Sequence, residues 1–150
     1  MNLFCVTLLV ITYFLEEGTT MAKFELYHPI QTPHYQLDWL TQFKVKDINT
    51  LRQQTQPAET IIQTANFVNR VMSTIMHDQA LTWGVSFKQS GEFAGIVSLN
   101  PIEEGWTNAE LNVSPVKTDA TDLIAEIEAY MTQFAQNQLG TQHLKLNIHN

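Results

Sequence analysis

Cationic residues are scarce in this 150-residue sequence, where eight lysines and arginines stand against 15 aspartates and glutamates and the formal net charge is -7. Proteins that bind duplex nucleic acid or an anionic membrane surface need clustered Lys and Arg side chains. We therefore predict neither a nucleic acid nor a membrane as a partner.

Cysteine, glycine and proline are also few. The single cysteine, Cys5, excludes an intramolecular disulfide, which favours the reducing cytoplasm as the location. The five histidines have no metal-ligand spacing such as H-E-x-x-H, so no metal site is predicted. Six glycines, five prolines and 10% aromatic residues are typical of neither a low-complexity nor a disordered chain. The length suits one domain with a packed core.

The apolar run at residues 3–15 lacks the flanks of a targeting segment. No Lys or Arg precedes the run, glutamates rather than a small-residue cleavage site follow it, and it is shorter than the roughly 20 residues of a membrane span. The codons of Glu16, Glu17 and Gly18 can instead spell a purine-rich ribosome-binding site ahead of Met21. We expect residues 1–20 to be upstream sequence read as protein and the domain to cover residues 21–150. A signal sequence or a short hydrophobic anchor is the alternative.

Hydrophobic periodicity in the first half of the chain predicts one strand and two helices. Residues 24–27 form the strand candidate, and residues 35–43 form a helix candidate after a Pro-containing turn. Residues 47–56 are polar and have no clear period. A second helix is predicted to begin near Pro57, with Glu59 at its positive end. Its predicted buried face comprises Ile61, Ala65, Val68, Met72 and Ile75.

From residue 80 the period changes to two, which predicts an antiparallel meander of strands at residues 81–87, 93–99 and 106–113. Residues 88–91 have hairpin-loop chemistry. A helix then ends at Gly140, and residues 143–149 form a last strand. The apolar face of that helix comprises Leu123, Ile127, Tyr130, Met131 and Phe134. This order predicts an α+β domain in which helices flank a mostly antiparallel sheet.

Two passages in the second half of the chain carry a family resemblance. The first, TWGVSFKQSGEFAGIVSLNPIEEGWTNAELNVSP, combines a Trp-bearing strand, a K-x-x-G hairpin and an A-E-L strand. The second, QLGTQHLKLNIHN, enters the last strand through an L-G pair. In these features the chain resembles the GNAT superfamily of N-acetyltransferases, in particular the branch that includes ribosomal-protein N-terminal acetyltransferases. The resemblance implies the acyl-CoA N-acyltransferase fold over residues 24–150.

The resemblance also implies an acetyl-CoA site between the fourth strand, residues 106–113, and the parallel fifth strand, residues 143–149. In the family the fourth strand is bulged and splays from the fifth. Backbone groups of Leu111, Asn112 and Val113 would then run beside the pantetheine and the thioester. A backbone N–H there can stabilise the developing oxyanion.

Glu110 lies on the same predicted strand and is the candidate general base for an incoming ammonium group. The other interpretation of Glu110 is an exposed strand carboxylate. Glu103 and Glu104 lie in a predicted turn and are interpreted as solvated loop acids whose charge could attract a basic substrate.

The family motif for the cofactor's pyrophosphate, Q/R-x-x-G-x-G/A, falls on residues 117–122 when counted back from Gly140. The implied cofactor-binding residues are Lys117, Ala120, Thr121 and Asp122. Lys117 retains a positive charge, but Asp122 stands where the family has Gly or Ala. A like unit charge at about 5 Å in an effective dielectric of about 20 costs roughly 3 kcal/mol, so we expect weak acetyl-CoA binding. The other interpretation of Asp122 is a favourable acid in a first helical turn.

Two functions follow from these expectations. The first is an N-acetyltransferase that transfers acetyl from acetyl-CoA to a primary amine, such as a peptide or protein N-terminus, and that is inactive as given if acetyl-CoA cannot bind. The alternative is a non-catalytic interaction module that has kept the GNAT fold and lost CoA binding. Because the family continues past its fifth strand with a helix and strands, we expect a C-terminally incomplete domain, with an exposed last strand through which a homodimer could form.

Overall fold

The computed structural model describes residues 26–149, which form one six-stranded sheet with helices on both faces. The strands are β1 (Ile30–Gln31), β2 (Tyr35–Asp38), β3 (Leu81–Phe87), β4 (Phe93–Pro101), β5 (Asn108–Pro115) and β6 (His143–Ile148). Their order in the sheet follows the chain, and every neighbouring pair is antiparallel except β5 and β6, which are parallel. The predicted α+β class with a mostly antiparallel sheet is confirmed.

Three α-helices accompany the sheet. They are α1 (Val45–Arg52), α2 (Ile61–Met76) and α3 (Thr121–Phe134), with a 3-10 turn at Leu40–Gln42 and a π-helical turn at Ala135–Leu139. The predicted stop at Gly140 is confirmed, since this residue adopts the left-handed conformation with φ of 71°. No helix between residues 26 and 149 has the length and apolar character of a membrane span.

One face of the sheet is apolar and lies under α3. Register places the side chains of this face in rows across β3, β4, β5 and β6, one of which is Leu81, Leu99, Leu111 and Leu146. From α3, Leu123, Ile127 and Met131 are buried against this core. The ring of Trp83 meets the edge of Phe134 at 5.5 Å between centroids, which fixes the end of the helix on the sheet. Burial of these side chains supplies most of the driving force for the fold.

The opposite face of the sheet lies beneath α1 and α2. Phe43, just before α1, packs on Gly84 of β3 so closely that a Cβ at Gly84 would stand 2.5 Å from the Phe43 ring. The absence of a side chain at Gly84 therefore allows the helical layer to sit on the sheet.

Two predictions in the first half of the chain are wrong. Residues 35–43 are not a helix: Tyr35 and Leu37 alternate with polar residues and pair with β3, and only the 3-10 turn follows. Residues 47–56 include most of α1, whose period is obscured because a buried face made of Ile48 and Leu51 also contains the polar Asn49. Both errors arise because tertiary contacts outweigh short sequence patterns.

The second helix is confirmed, but it begins later and is rotated. Thr60 caps its N-terminus in a reciprocal capping box with Gln63, so Pro57 lies outside it. Ile61 is 44% exposed, and the buried face of α2 comprises Thr64, Val68, Val71 and Ile75. The prediction missed this rotation because Thr64 is buried through hydrogen bonds rather than apolar contact.

The N-terminal predictions fall largely outside the described residues. These are the apolar run at residues 3–15, the start at Met21 and the first part of the strand candidate at residues 24–27. Of that strand candidate, Leu26 and Tyr27 are described, and neither is in a strand. Tyr27 is buried, and its backbone carbonyl accepts a hydrogen bond from Trp83 Nε1 at 2.9 Å.

Candidate functional site

Polar side chains cross the sheet in register on the face beneath α1 and α2. One row runs from Thr82 through Ser98 and Asn112 to Asn147, one residue from each of four neighbouring strands. The next row comprises Asn100, Glu110 and Lys145. Because side chains alternate along a strand, the polar rows lie directly behind the apolar core rows. We call the surface formed by these two rows the polar face.

Glu110 is held in a chain of hydrogen bonds on the polar face. Asn147 Nδ2 donates to Glu110 Oε2 at 2.7 Å and lies 3.3 Å from Asn112 Oδ1. The ring Nε2 of His149 lies 3.0 Å from the same Asn112 oxygen. The network therefore joins β5 to β6 and fixes the candidate general base from the neighbouring strand.

A cavity of about 440 Å³ lies between the polar face and the two helices above it. Its floor includes Thr82, Ser98, Asn100, Asn112 and Ser114, and its ceiling includes Leu51, Arg52, Phe67 and Val71. We call this cavity the polar cleft. Its volume is within the range of small-molecule binding sites.

The one lysine or arginine that lines the polar cleft, Arg52, is neutralised by a neighbour. Arg52 donates to both carboxylate oxygens of Glu59, at 2.6 and 2.8 Å, and its guanidinium lies 3.7 Å from the centre of the Phe67 ring. The hydrogen bond from Arg52 holds the pKa of Glu59 below its usual value against the opposing effect of burial, and Thr64 adds a second hydrogen bond. This pair links α1 to the start of α2.

The fourth and fifth strands that the resemblance implies correspond to β5 and β6 of the structure. The expected bulge in β5 and its splay from β6 are not seen in the described residues. β5 stays in unbroken register with β4, and it pairs with β6 from Asn108 opposite His143 to Val113 opposite Ile148. His149 N–H then donates to the Val113 carbonyl at 2.9 Å. Burial alternates along β5 without the extra residue that a bulge requires. The backbone groups expected beside a thioester therefore lie within a continuous ladder; they belong to Leu111, Asn112 and Val113.

The N-terminus of α3 combines free amides with negative charge. Thr121 N–H donates to the Asp119 carbonyl, and within the described chain the amides of Asp122 and Leu123 have no partner. Ala120 is the N-cap, and no side chain hydrogen-bonds the free amides of this helix end. Asp122 therefore stabilises the helix only through its charge near the positive end of the helix dipole, and not as a hydrogen-bonding cap.

Carboxylates surround this helix end. Glu92, Asp119, Asp122 and Lys117 line one small cavity there, which has three acidic groups and one basic group. Burial raises the pKa of the neighbouring Tyr35 hydroxyl, and the negative charges of Glu126 and Asp122 raise it further. The local potential is therefore negative where the resemblance implies a phosphate site.

Acetyl-CoA is only partly matched by these features. The free amides at the start of α3 suit a pyrophosphate, whereas the surrounding carboxylates repel one and the paired β5 and β6 leave no wedge for pantetheine. The residues as placed do not fit acetyl-CoA bound in the mode that the resemblance implies.

The structure separates the predicted site residues into three groups. Glu110 and the side chain of Asn112 lie on the polar face, while the side chains of Leu111 and Val113 lie in the apolar core. The third group lies at the start of α3 and comprises Lys117, Ala120, Thr121 and Asp122. Their roles in catalysis and binding stay predictions.

Sequence reasoning missed Asn147 as the hydrogen-bond partner of Glu110, and it missed Thr82, Ser98 and His149 as lining residues of the polar cleft. The alternation of residues 143–149 was a usable signal, because a parallel neighbour with Leu144 and Leu146 in the core must turn Lys145 and Asn147 toward the face that carries Glu110. Among residues 26–149, no group of three or more His, Cys, Asp or Glu residues could hold a metal ion.

No protein-family model and no curated protein sequence matches the chain significantly. Solved structures do match. A protein from Vibrio cholerae described as a ribosomal-protein-serine acetyltransferase has a TM-score of 0.62 at 15% identity, over 80% of this chain and 73% of that one. This chain has the GNAT acyltransferase fold.

Two further acetyltransferase structures show the same similarity. RimL, a ribosomal L7/L12 alpha-N-protein acetyltransferase, has a TM-score of 0.57 at 17% identity, over 72% of this chain and 64% of that one. The microcin C7 self-immunity acetyltransferase MccE, solved with acetyl-CoA and AMP, has a TM-score of 0.55 at 15% identity, over 71% of this chain and 66% of that one. The resemblance noted in the sequence is thus confirmed for the fold.

Proposed function

We propose that the protein is an N-acetyltransferase that transfers an acetyl group from acetyl-CoA to a primary amine. The observation that carries the proposal is Glu110, an acidic side chain fixed by Asn147 at the parallel β5–β6 pair of a GNAT fold. Several solved proteins of this fold are named as acetyltransferases, and one of them was solved with acetyl-CoA.

In this proposal Glu110 accepts a proton from the amine, directly or through water. Asn147 binds Oε2 and leaves Oε1 available to the substrate. No Lys, Arg or His nitrogen among residues 26–149 lies within ion-pair distance of the Glu110 carboxylate, so its negative charge is not already compensated by a pair. A neutral hydrogen-bond donor positions the base without neutralising it.

A second candidate function, a non-catalytic module that keeps the GNAT fold, is favoured by two observations. The β5–β6 ladder is continuous as far as Val113, and carboxylates line the start of α3. Acetyl transfer requires β6 to part from β5 near Val113 and the start of α3 to accept phosphate despite Asp122. A module that binds only through the polar face requires neither.

The test is acetyl transfer by the full chain. The protein is mixed with acetyl-CoA and a panel of primary amines that includes peptides and amino sugars, and released thiol and acetylated product are measured. Glu110→Gln should lower kcat by roughly a hundredfold, whereas Glu128→Gln, an exposed change on α3, should leave it unchanged. Equal rates for Glu110→Gln and the unmodified protein would remove Glu110 from the mechanism. Absence of product with every amine would favour the non-catalytic module.

A further inference from the structure

The polar cleft contains hydrogen-bonding groups that the protein itself does not use. Thr82 is only 7% exposed, and its hydroxyl has no partner among residues 26–149 although it lines the cleft. The amide nitrogen of Asn112, the amide oxygen of Asn100 and the hydroxyl of Ser114 are likewise without partners in that range. None of these four atoms is fully buried, so each is open to the cleft and available to a ligand as a hydrogen-bond donor or acceptor.

The free groups include both donors and acceptors, and they carry no net charge. The Arg52 guanidinium is paired with Glu59, which leaves no uncompensated lysine or arginine in the lining for a carboxylate or a phosphate. An apolar ligand would leave the hydroxyls and amides unpaired. Hydroxyl groups, each of which donates and accepts, match this lining best.

The shape of the polar cleft argues against an extended peptide. An extended peptide commonly binds by adding to the free edge of a sheet, but β3, β4 and β5 beneath the cleft are each paired on both sides. Leu51 and Val71 of the helices lie above the cleft and limit its depth. A compact molecule is favoured, and Ile96 and Phe67 offer apolar surface to the C–H groups of a ring.

We propose that the polar cleft binds a small polyhydroxylated molecule of monosaccharide size, and that the acceptor amine is an amino sugar. The second clause rests on the proposed function, whereas the first does not. Thr82, Ser98 and Asn112 contact the ligand hydroxyls, and Glu110, beside the cleft, faces the amino group.

The experiment is a titration of the full chain with D-glucosamine in the absence of acetyl-CoA, followed by calorimetry and by NMR of the cleft amides. D-glucose, propylamine and a neutral tripeptide are titrated alongside. Glucosamine and glucose should bind and shift the amides of β3, β4 and β5, and propylamine should not. Binding of the tripeptide alone, or of no probe, would overturn the proposal.

Thr82→Val separates binding from folding. This change keeps the side-chain shape and removes a hydroxyl that has no protein partner, so it should weaken glucosamine binding by about tenfold without lowering the unfolding midpoint. Thr132→Val on α3, outside the cleft, should alter neither quantity. A Thr82→Val protein that unfolds more easily and still binds glucosamine normally would show that the hydroxyl is structural and would refute the proposal.

A test with acetyl-CoA distinguishes the two proposals. If sugars bind but glucosamine is never acetylated, the cleft assignment holds and the acetyltransferase proposal fails. If a peptide is acetylated while sugars do not bind, the acetyltransferase proposal holds and the cleft assignment fails.

Discussion

His34 and Glu126 are joined by two hydrogen bonds that connect the start of β2 to α3. The backbone N–H of His34 donates to Glu126 Oε2 at 2.8 Å, and its ring Nδ1 lies 2.7 Å from Oε1. Thr32 Oγ1 donates to the same carboxylate at 2.5 Å. Burial alone would raise the pKa of Glu126, but these hydrogen bonds outweigh it and the pKa lies below its usual value.

We expect the contact of Glu126 with Thr32 and His34 to weaken in acid. The pKa of Glu126 is lower in the folded protein than its ordinary value of 4.5, which applies to the unfolded chain. The ionised carboxylate therefore stabilises the fold fully above pH 4.5, and this stabilisation is lost as pH falls through the lower pKa of the folded protein. Glu126→Gln should reduce the free energy of unfolding at pH 7 by about 2 kcal/mol. It should also flatten the decline in stability below pH 4.5, as measured by urea unfolding at several pH values.

Glu128→Gln is the matched control, since Glu128 lies on the same helix with an exposed side chain. It should have little effect at pH 7. The imidazole of His34 is 77% exposed, so His34→Ala should cost less than the change at Glu126, whose side chain is 16% exposed. An equal loss from both variants would contradict this assignment.

The ion pair of Arg52 and Glu59 predicts a larger loss of stability. Glu59 is 8% exposed, and Arg52→Met would leave its buried carboxylate without the guanidinium that donates to both of its oxygens. The expected cost is about 3 kcal/mol in urea unfolding. Lys46→Met removes an exposed charge from the same helix and should cost under about 0.5 kcal/mol. A double variant, Arg52→Met with Glu59→Leu, should recover much of the loss; no recovery would mean that packing of Arg52 on Phe67 dominates.

Two glycines should respond differently to alanine. A Cβ at Gly95 would stand 2.6 Å from the backbone oxygen of Ser114, whereas a Cβ at Gly84 would meet only the ring of Phe43. We expect each alanine to cost about 2 kcal/mol. Shortening Phe43 to Leu should rescue Gly84→Ala but not Gly95→Ala, because backbone in a paired strand cannot move aside. Thermal unfolding of the two double variants checks this, and rescue of both would contradict it.

The charge at Asp122 predicts how acetyl-CoA affinity changes. Asp122→Asn removes the charge and keeps the size. Because the Asp122 side chain is exposed and solvent screens its charge, acetyl-CoA affinity should rise by about tenfold at low salt rather than by the roughly hundredfold that about 3 kcal/mol would give. The gain should shrink as salt screens the exposed charge. Asp47→Asn, which removes an acid from the first turn of α1, should not change affinity. Calorimetry with all three proteins measures the effect, and unchanged binding by Asp122→Asn would place the pyrophosphate elsewhere.

The second half of the fold could be predicted from sequence because apolar residues recur at every second position in much of its strands and its helical segment stops at a glycine. Trp83, Val85 and Phe87 share a face by spacing alone, and Gly140 has the one backbone conformation that suits a helix stop. The first half could not, since α1 is short and depends on Asn49, whose amide bonds the Glu59 carbonyl and the Thr64 hydroxyl across a turn. No local pattern encodes that contact.

The candidate site was predicted in the same uneven way. Glu110 and Asn112 were found because they lie on one strand, and Asn147 was missed because its neighbours in space lie on another. The expected splay of β5 came from resemblance rather than from the residues, and the regular burial of β5 does not support it.

The two faces of strand β5 serve different purposes, since one packs in the core and the other lines the polar face. Odd-numbered positions such as Leu111 and Val113 are committed to the interior, and even-numbered positions such as Glu110, Asn112 and Ser114 face the opposite side. Even-numbered positions can therefore change in evolution, or in the laboratory, while the odd-numbered ones stay fixed. A library varied only at residues 110, 112 and 114 would search for new ligand preferences in a scaffold whose folding is left intact.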